Sequence, residues 1–538
     1  MARRITLAVL ALALLPSTAA AAERTGRWLV VFEHRATARS SSQLSAVLAR
    51  TGAERAGRGL PALGISTVDG PAAAIARLRR DRAVESVSAE WRRDFRRVPN
   101  DPGVTQQQTE APAGTPVQWW LARSGFPAAW DVTIGSGATV GVIDSGIDGA
   151  HPQLASKIAS ADEFGSASGA LVDEDGHGTH VSGLACAATG DGSGVAGAGW
   201  DCRIAMAKAP QLRDEDIING IYTLVGQGAD AINMSFGGGE ENSAVAIAID
   251  FAFQRGVVLV ASASNDPDID QKAPASQLQP GDAAQIDAGR GLVVTGVDFG
   301  DLQAGTGRGN QISLAAYGFY DGTAPFAGPL GLLSTFPSQV TGEVPPFVVC
   351  SCRGEFNGDE RYAYLEGTSM AAPQVTAAAA MIGELNPSLT ATEKMRLIKE
   401  TARRSGGWTP EVGWGILDAG KAVDVARRVD RTGPQSRASA GFRALTGARR
   451  RARVSVRLSR SDQPGAPGLV PSGSASLDLY LKRGHGGFRR VRQGVTVSSL
   501  RLRLRPGVYR LYTRAVDVAG NREAAPHTAD VRVSVRRG

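Results

Sequence analysis

The sequence predicts an α/β protein built on a doubly wound, mostly parallel sheet, with a small α+β unit ahead of it and an all-β sandwich behind it. Three observations lead there. Between about residues 98 and 430, apolar runs such as ATVGVID, RIAMAKA, DAINMSF and GVVLVASA alternate with helical stretches, as parallel strands covered on both faces do. Before that block, RWLVVFEHR, SSQLSAVLART, LGISTVDG, PAAAIARLRRDR and AVESVSAEW read as strand, helix, strand, helix and strand, with Pro71 opening the second helix. After Arg428, RARVSVRLSR, SASLDLYLKR, VSSLRLRLR, GVYRLYTRAVD and ADVRVSV alternate with period two between Gly, Pro and Asn turns, which suits a sandwich.

Charge divides the chain at the same places. The formal total is +7, but residues 23–97 count to about +7, residues 98–430 to about −20 and residues 431–538 to about +18. A chain of 538 residues with 43% apolar content has ample material for at least two cores and is not disordered. Residues 1–22, MARRITLAVLALALLPSTAAAA, join Arg3 and Arg4 to an apolar run and a small-residue end, the layout of a secretory signal. A membrane anchor needs about twenty apolar residues, and Pro16 to Thr18 interrupt this run early. Arg3-Arg4 fits either a twin-arginine route or an ordinary signal. No later segment reads as long and apolar enough to span a bilayer. The expected divisions are therefore 1–22, 23–97, 98–430 and 431–538. Four cysteines in an exported chain suggest disulfides rather than a thiol catalyst. Cys186 and Cys202 flank the Gly-rich TGDGSGVAGAG and could bridge; Cys350 and Cys352 could close only a tight ring; small buried thiols are the alternative for all four.

The acidic middle block carries the chemistry. ATVGVID ends on Asp144, and active sites collect at the carboxyl ends of strands in open parallel sheets. In DEDGHGTHVSGLACAA, His177 stands at the mouth of what reads as an amphipathic helix. His177 and His180 lack the glutamate of the H-E-x-x-H zinc pattern, which argues against a metal pair. EGTSMAAPQV opens an apolar helix. Read structurally, Thr368 or Ser369 caps it and Pro373 lies near its start, where a missing amide hydrogen costs little. Read functionally, a hydroxyl nucleophile stands among free N–H groups that favour negative charge. The segment alone leaves both readings open.

VIDSGID, DGHGTHVSG and EGTSMAAPQV, in that order, resemble the three signature segments of the subtilisin-like serine peptidases, over about residues 115–428. The resemblance implies a secreted endopeptidase with Ser369 as nucleophile, His177 as general base and then acid, and Asp144 as the group that orients the imidazole. It implies Asn265 as an oxyanion donor, Ser235, Phe236, Gly237 and Gly238 as substrate-binding residues, and His180 as a structural histidine. No cofactor is required. Calcium would be a structural ion only: Gln153 stands where relatives with a strong site have aspartate, while Asp191 falls in the loop that forms the rest of it. DPDID after Asn265 starts like an EF-hand loop, but Gln271 and Gln277 occupy its sixth and twelfth positions, so the match fails. Glu366 and Gln374 replace the asparagine and histidine of many relatives without entering the chemistry.

With that family in view, residues 27–97 resemble an inhibitory propeptide of ferredoxin-like build, whose positive charge suits docking to an acidic enzyme. Self-cleavage in RRDFRRVPNDP would start the mature chain between Phe95 and Thr105. The tail resembles immunoglobulin-like modules. Its RLRLRPG arginines suit either an anionic cell-surface polymer or a plain soluble surface and, without aromatic interleaving, not a nucleic acid. A surface-binding protein in which the β-domain is the main unit is the alternative reading; the full set Asp144, His177, Asn265 and Ser369 favours the enzyme.

Overall fold

The structure, a computed structural model, describes residues 23–32, 41–56, 64–92, 97–109, 111–165, 168–320, 331–338, 356–403, 406–442, 451–465 and 468–536. The signal-like residues 1–22 and the Cys350–Cys352 pair lie outside the described residues. The chain divides into two compact units, with the boundary between Arg96 and Arg97. In the first, β1 (Glu23–Phe32), α1 (Ser41–Thr51), β2 (Glu54–Arg55), β3 (Ile65–Asp69), α2 (Ala72–Leu78) and β4 (Val84–Arg92) form an antiparallel sheet of order β2-β3-β1-β4 with two helices. Val30, Phe32, Val68, Leu48, Ile75 and Leu78 join sheet and helices in one core. Helix α2 begins directly after Pro71, where the absent N–H would have had no partner in any case.

The second unit opens with three short helices, α3 (Pro102–Thr105), α4 (Trp119–Arg123) and α5 (Phe126–Trp130). Strands and helices then alternate: β5 (Thr139–Asp144), β6 (Ile158–Glu163), α6 (His177–Cys186), β7 (Arg203–Lys208), α7 (Asp214–Gly226), β8 (Ala231–Met234), α8 (Ser243–Gln254), β9 (Val258–Ser262), α9 (Ala275–Leu278), β10 (Gly291–Val297) and β11 (Leu314–Tyr317). The seven strands form one parallel sheet, ordered β11-β10-β9-β8-β5-β7-β6. Its central strands are buried at nearly every position, which is why they read as continuous apolar runs. From β5 the chain winds to one side for β6 and β7, then crosses to the other for β8. That reversal opens a crevice at the carboxyl ends of the strands, where Asp144 ends β5 and Ser235 follows β8.

The antiparallel pair β12 (Leu332–Thr335) and β13 (Tyr362–Leu365) precedes α10 (Thr368–Leu385), α11 (Ala391–Thr401) and α12 (Ala419–Ala426). Helix α10 runs through the largest core and packs on α6. The sequence pattern suggests an amphipathic α6, but every residue from Gly178 to Cys186 is buried, because sheet, α10 and β12 cover it on separate sides.

The Cys186–Cys202 disulfide ties the end of α6 to the residue before β7, with a Cα–Cα distance of 5.5 Å and a sequence separation of 16. In the chain-entropy model a loop of this size contributes about 3 kcal/mol. Replacing both cysteines by alanine is expected to lower the unfolding free energy by about that amount in a denaturant titration, and non-reducing peptide mapping of the wild type should recover the two cysteines linked. An unchanged midpoint would contradict the assignment.

Seven further strands, β14 (Gln435–Phe442), β15 (Ala452–Ser461), β16 (Ser474–Arg483), β17 (Arg489–Val495), β18 (Ser499–Leu504), β19 (Gly507–Asp517) and β20 (Val531–Val535), form two antiparallel sheets, β14-β15-β18 and β17-β16-β19-β20. Val454, Val456, Leu477, Leu479, Leu511 and Val533 pack together between them. This β region is fastened to what precedes it. Leu469 packs against the core around α10, Val470 N–H donates to Arg427 O at 2.9 Å, and Asn521 Nδ2 donates to Asp430 O at 2.9 Å. At the same joint, carboxylate oxygens of Asp430, Asp462 and Asp517 lie within 4.8 Å of one another, the one group of acidic, histidine or cysteine side chains among the described residues close enough to share a cation. No helix among the described residues is long and apolar enough to cross a membrane.

Candidate active site

Gly176, with φ 97°, turns the chain so that His177 is the first residue of α6. A Cβ on Gly178 would lie 2.2 Å from Gly146 O and 3.1 Å from Asp144 Cβ, so a glycine is needed for α6 to approach the end of β5 this closely. There His177 Nδ1 is 2.8 Å from Oδ1 of the buried Asp144, which also accepts Ser145 N–H at 2.8 Å. A carboxylate can only accept, so Nδ1 carries a proton, and when the ring is neutral Nε2 holds the lone pair. Asp144 Oδ2 is buried without a partner among the described residues. Burial alone pushes the His177 pKa down, but the Asp144 carboxylate and its hydrogen bond, with Asp175 and Asp173 behind it, outweigh that and push it up to about 9.

Sequence reasoning missed Asp173. This buried carboxylate accepts from Ser145 Oγ, from Gly176 N–H, and from both the N–H and the Oγ1 of Thr179, and so holds the turn that delivers His177. Its signal was an acidic residue just ahead of a Gly-His-Gly turn, where a side chain must replace the missing backbone partners. His180 is buried, and burial pushes its pKa down to about 3. Its Nε2 lies 3.1 Å from Leu332 O and 3.0 Å from Ala363 O, so the neutral ring donates to the β12–β13 pair.

Ser369 is the second residue of α10, and the N-cap position belongs to Gly367, not to Thr368 or Ser369. Pro373 lies inside the helix rather than near its start. It lacks the N–H that would have bonded Ser369 O four residues earlier, and Ser235 Oγ donates to that carbonyl instead, at 2.9 Å. In return Ser369 Oγ donates to Ser235 O at 3.2 Å. The proline therefore frees a carbonyl that pins the segment after β8 to the start of α10. The Ser369 hydroxyl rests on Ser235 in this conformer.

Asn265 is exposed just past β9. Thr368 N–H donates to its Oδ1 at 2.9 Å, while Thr368 Oγ1 donates to Ala263 O at 2.6 Å. Because a backbone N–H can only donate, Oδ1 is identified and Nδ2 is left facing outward as a donor. Beyond Ser235, Phe236, Gly237 and Gly238 line a cavity of about 480 Å³ together with Leu212, Ile217 and Pro274. Gln374 is buried, accepting from Ser124 Oγ at 2.8 Å and donating to Met370 O at 3.0 Å, which keeps it out of the crevice. Glu366 is exposed ahead of Gly367.

Asp191 is exposed, but both of its carboxylate oxygens are engaged. Its Oδ2 accepts Gln153 Nε2 at 3.0 Å and its Oδ1 accepts Ser193 N–H at 2.9 Å, while the buried Asp101 accepts Gly190 N–H at 2.7 Å. An amide donor faces Asp191 where a calcium ion would need another oxygen, so these residues do not fit the ion.

The sequence profile of the subtilase family matches residues 135–415, more than half of the chain. The chain belongs to the subtilase family. This subtilase is a subtilisin-like serine endopeptidase, and its substrates are proteins. It is 28% identical to thermitase of Thermoactinomyces vulgaris over 331 residues, covering 61% of this chain and 99% of thermitase. It is 30% identical to subtilisin DY of Bacillus licheniformis over 277 residues, covering 51% and 86%. An extracellular protease of Xanthomonas campestris is 27% identical over 470 residues, covering 76% and 74%. Among solved structures, a protease of Pseudoalteromonas arctica matches with a TM-score of 0.50 at 27% identity, covering 61% of this chain and 99% of the other.

Proposed function

We propose that this subtilase is a secreted endopeptidase made as a self-processed zymogen, with Asp144, His177 and Ser369 as its catalytic triad. The observation that carries the reading is the 2.8 Å contact between His177 Nδ1 and Asp144 Oδ1, which leaves Nε2 basic. A rotation of the Ser369 side chain away from Ser235 O would hand its proton to that nitrogen as Oγ bonds the substrate carbonyl carbon. The carbonyl oxygen becomes an oxyanion, held by Asn265 Nδ2 and Ser369 N–H. His177 then gives the proton to the leaving nitrogen, the C–N bond breaks, and water repeats the cycle on the acyl-enzyme. Ser235, Phe236, Gly237 and Gly238 would pair with the substrate backbone and wall its pocket. The chemistry needs no cofactor.

Residues 1–22 and the likeness to an extracellular protease support export, although the relatives also include the major intracellular serine protease of Bacillus subtilis. The α+β unit before Arg97 and the arginine-rich RRDFRRVPNDP support a propeptide removed by the enzyme itself. The basic β region is read as a module that holds the enzyme on an anionic surface.

Asn265→Ala tests the oxyanion assignment. One donor remains, so kcat should fall by about 10²–10³ with KM little changed, and the precursor should mature slowly but at the normal site. An unchanged kcat in a folded variant would remove Asn265 from the site.

A further inference from the structure

The outer surface of the β14-β15-β18 sheet has one chemical character. Alternation turns Val454, Val456, Leu502 and Leu504 into the core and leaves Arg437, Arg453, Arg457, Arg501 and Arg503 exposed, with serines at the positions between them. The register sets these cations side by side. Arg453 stands directly opposite Arg503, and Ser455 directly opposite Arg501. Arg457 faces Ser499 on one side and Ser439 on the other, and Arg437 faces Ser459. The three strands contain no aspartate or glutamate. Among the described residues, none of the five guanidinium groups has a hydrogen-bond or carboxylate partner. The other sheet mixes its charges: Arg510 stands opposite Lys482 and Arg532, but Arg490 and, from the β19–β20 connection, Arg522 both reach Asp478, at 3.2 and 3.1 Å, and Arg514 donates to Glu523 O at 2.8 Å.

Like charges directly opposite one another weaken a sheet, and a surface kept only for solubility mixes the two signs. A face whose only charges are arginines, set among serine hydroxyls with Gln435 at one end, within a segment of about +18, therefore has the electrostatics of a binding surface. We propose that it docks an extended, base-free phosphodiester polymer, which deepens and rests on the reading of this region as a surface-binding module. Strands about 4.8 Å apart and same-face residues about 6.8 Å apart along a strand give a flat grid of planar forks, suited to a chain of phosphates that each accept two N–H bonds. The serine hydroxyls add donors between the forks. Among the described residues the face projects no aromatic ring to stack a base and no element to enter a duplex groove, so a nucleic acid is the poorer occupant.

The test uses the full-length protein and poly(glycerol phosphate), with polygalacturonate and a single-stranded oligonucleotide as the competing polyanions. The wild type should bind poly(glycerol phosphate) most tightly of the three. A variant carrying R453S, R457S, R501S and R503S should lose about 10²–10³ in affinity at 0.1 M salt, with the slope of log K against log salt reduced by about 3. A second variant with the same charge change on the other sheet and its flanks, R483S, R492S, R510S and R532S, should stay within about threefold of wild type. The first should unfold at wild-type temperature or above, since like-charge contacts are removed; the second also loses the Arg483 bond to Pro506 O, so its melting curve is recorded to show that it is folded; both should cleave peptides normally. That separates this proposal from the peptidase assignment, because binding can be measured whether or not hydrolysis occurs. Equal losses in the two variants, no loss in the first, or tighter binding of either competing polyanion would overturn it.

Discussion

Ser369→Ala should fold, cleave small peptides about 10⁶-fold more slowly than wild type, and remain an uncut precursor that retains residues 23 to about 97. The size is that of removing the nucleophile from subtilisin, where the residual rate reflects binding and the oxyanion hole alone. Folding should survive because the lost hydroxyl's only bond among the described residues is to Ser235 O, worth about 1 kcal/mol. The bond that pins the helix start, from Ser235 Oγ to Ser369 O, involves the backbone and is kept. The measurement is peptide hydrolysis together with N-terminal sequencing of both proteins, expressed in a host without other proteases. Wild type should begin between Phe95 and Thr105. A variant that matures at the normal rate and place would show that the cut is made elsewhere.

Asp144→Asn should cost about 10⁴ in kcat and move the acid limb of the pH profile downward. An asparagine amide can present N–H to His177 Nδ1, which drives the proton to Nε2 and leaves nothing to accept the Ser369 proton. The direction of the pH effect follows from the charges around the ring. Only the neutral imidazole is a base, so kcat/KM rises as pH climbs through the His177 pKa. In the wild type that pKa is pushed up to about 9, because Asp144 outweighs burial. Without the carboxylate, burial is opposed only by the more distant Asp175 and Asp173, and the midpoint falls. Profiles of kcat/KM for the two proteins check this. A loss smaller than tenfold, or an unmoved midpoint, would mean that Asp144 does not support the imidazole.

How far the molecule can be read from its residues varies by element, for physical reasons. β5, β7, β8 and β9 are legible because two buried faces demand unbroken apolar runs, and Asp144 stands out because it ends one of them. β14 and β17 are not: each lies at the edge of its sheet, one turning mostly small residues inward and the other offering two valines among arginines. The full burial of α6 is hidden because small residues such as Gly178 and Gly183 let neighbours close on it without leaving an apolar stripe. The candidate catalytic residues are legible as types at motif positions. The part played by Pro373 is not, because it depends on a freed carbonyl meeting a hydroxyl 134 residues earlier in the chain. Asp173 escapes for a similar reason: its partners are backbone amides of a turn whose shape the residue names do not reveal.

Which oxygen attacks the substrate is the question on which the rest depends, and a serine-directed fluorophosphonate answers it. Peptide mass spectrometry of the treated wild type should find one phosphonylated residue, Ser369, with the label absent from Ser369→Ala and strongly slowed in a folded His177→Ala variant. Stoichiometric labelling of a different serine in the active wild type, or full peptidase activity in protein already labelled at Ser369, would contradict the assignment.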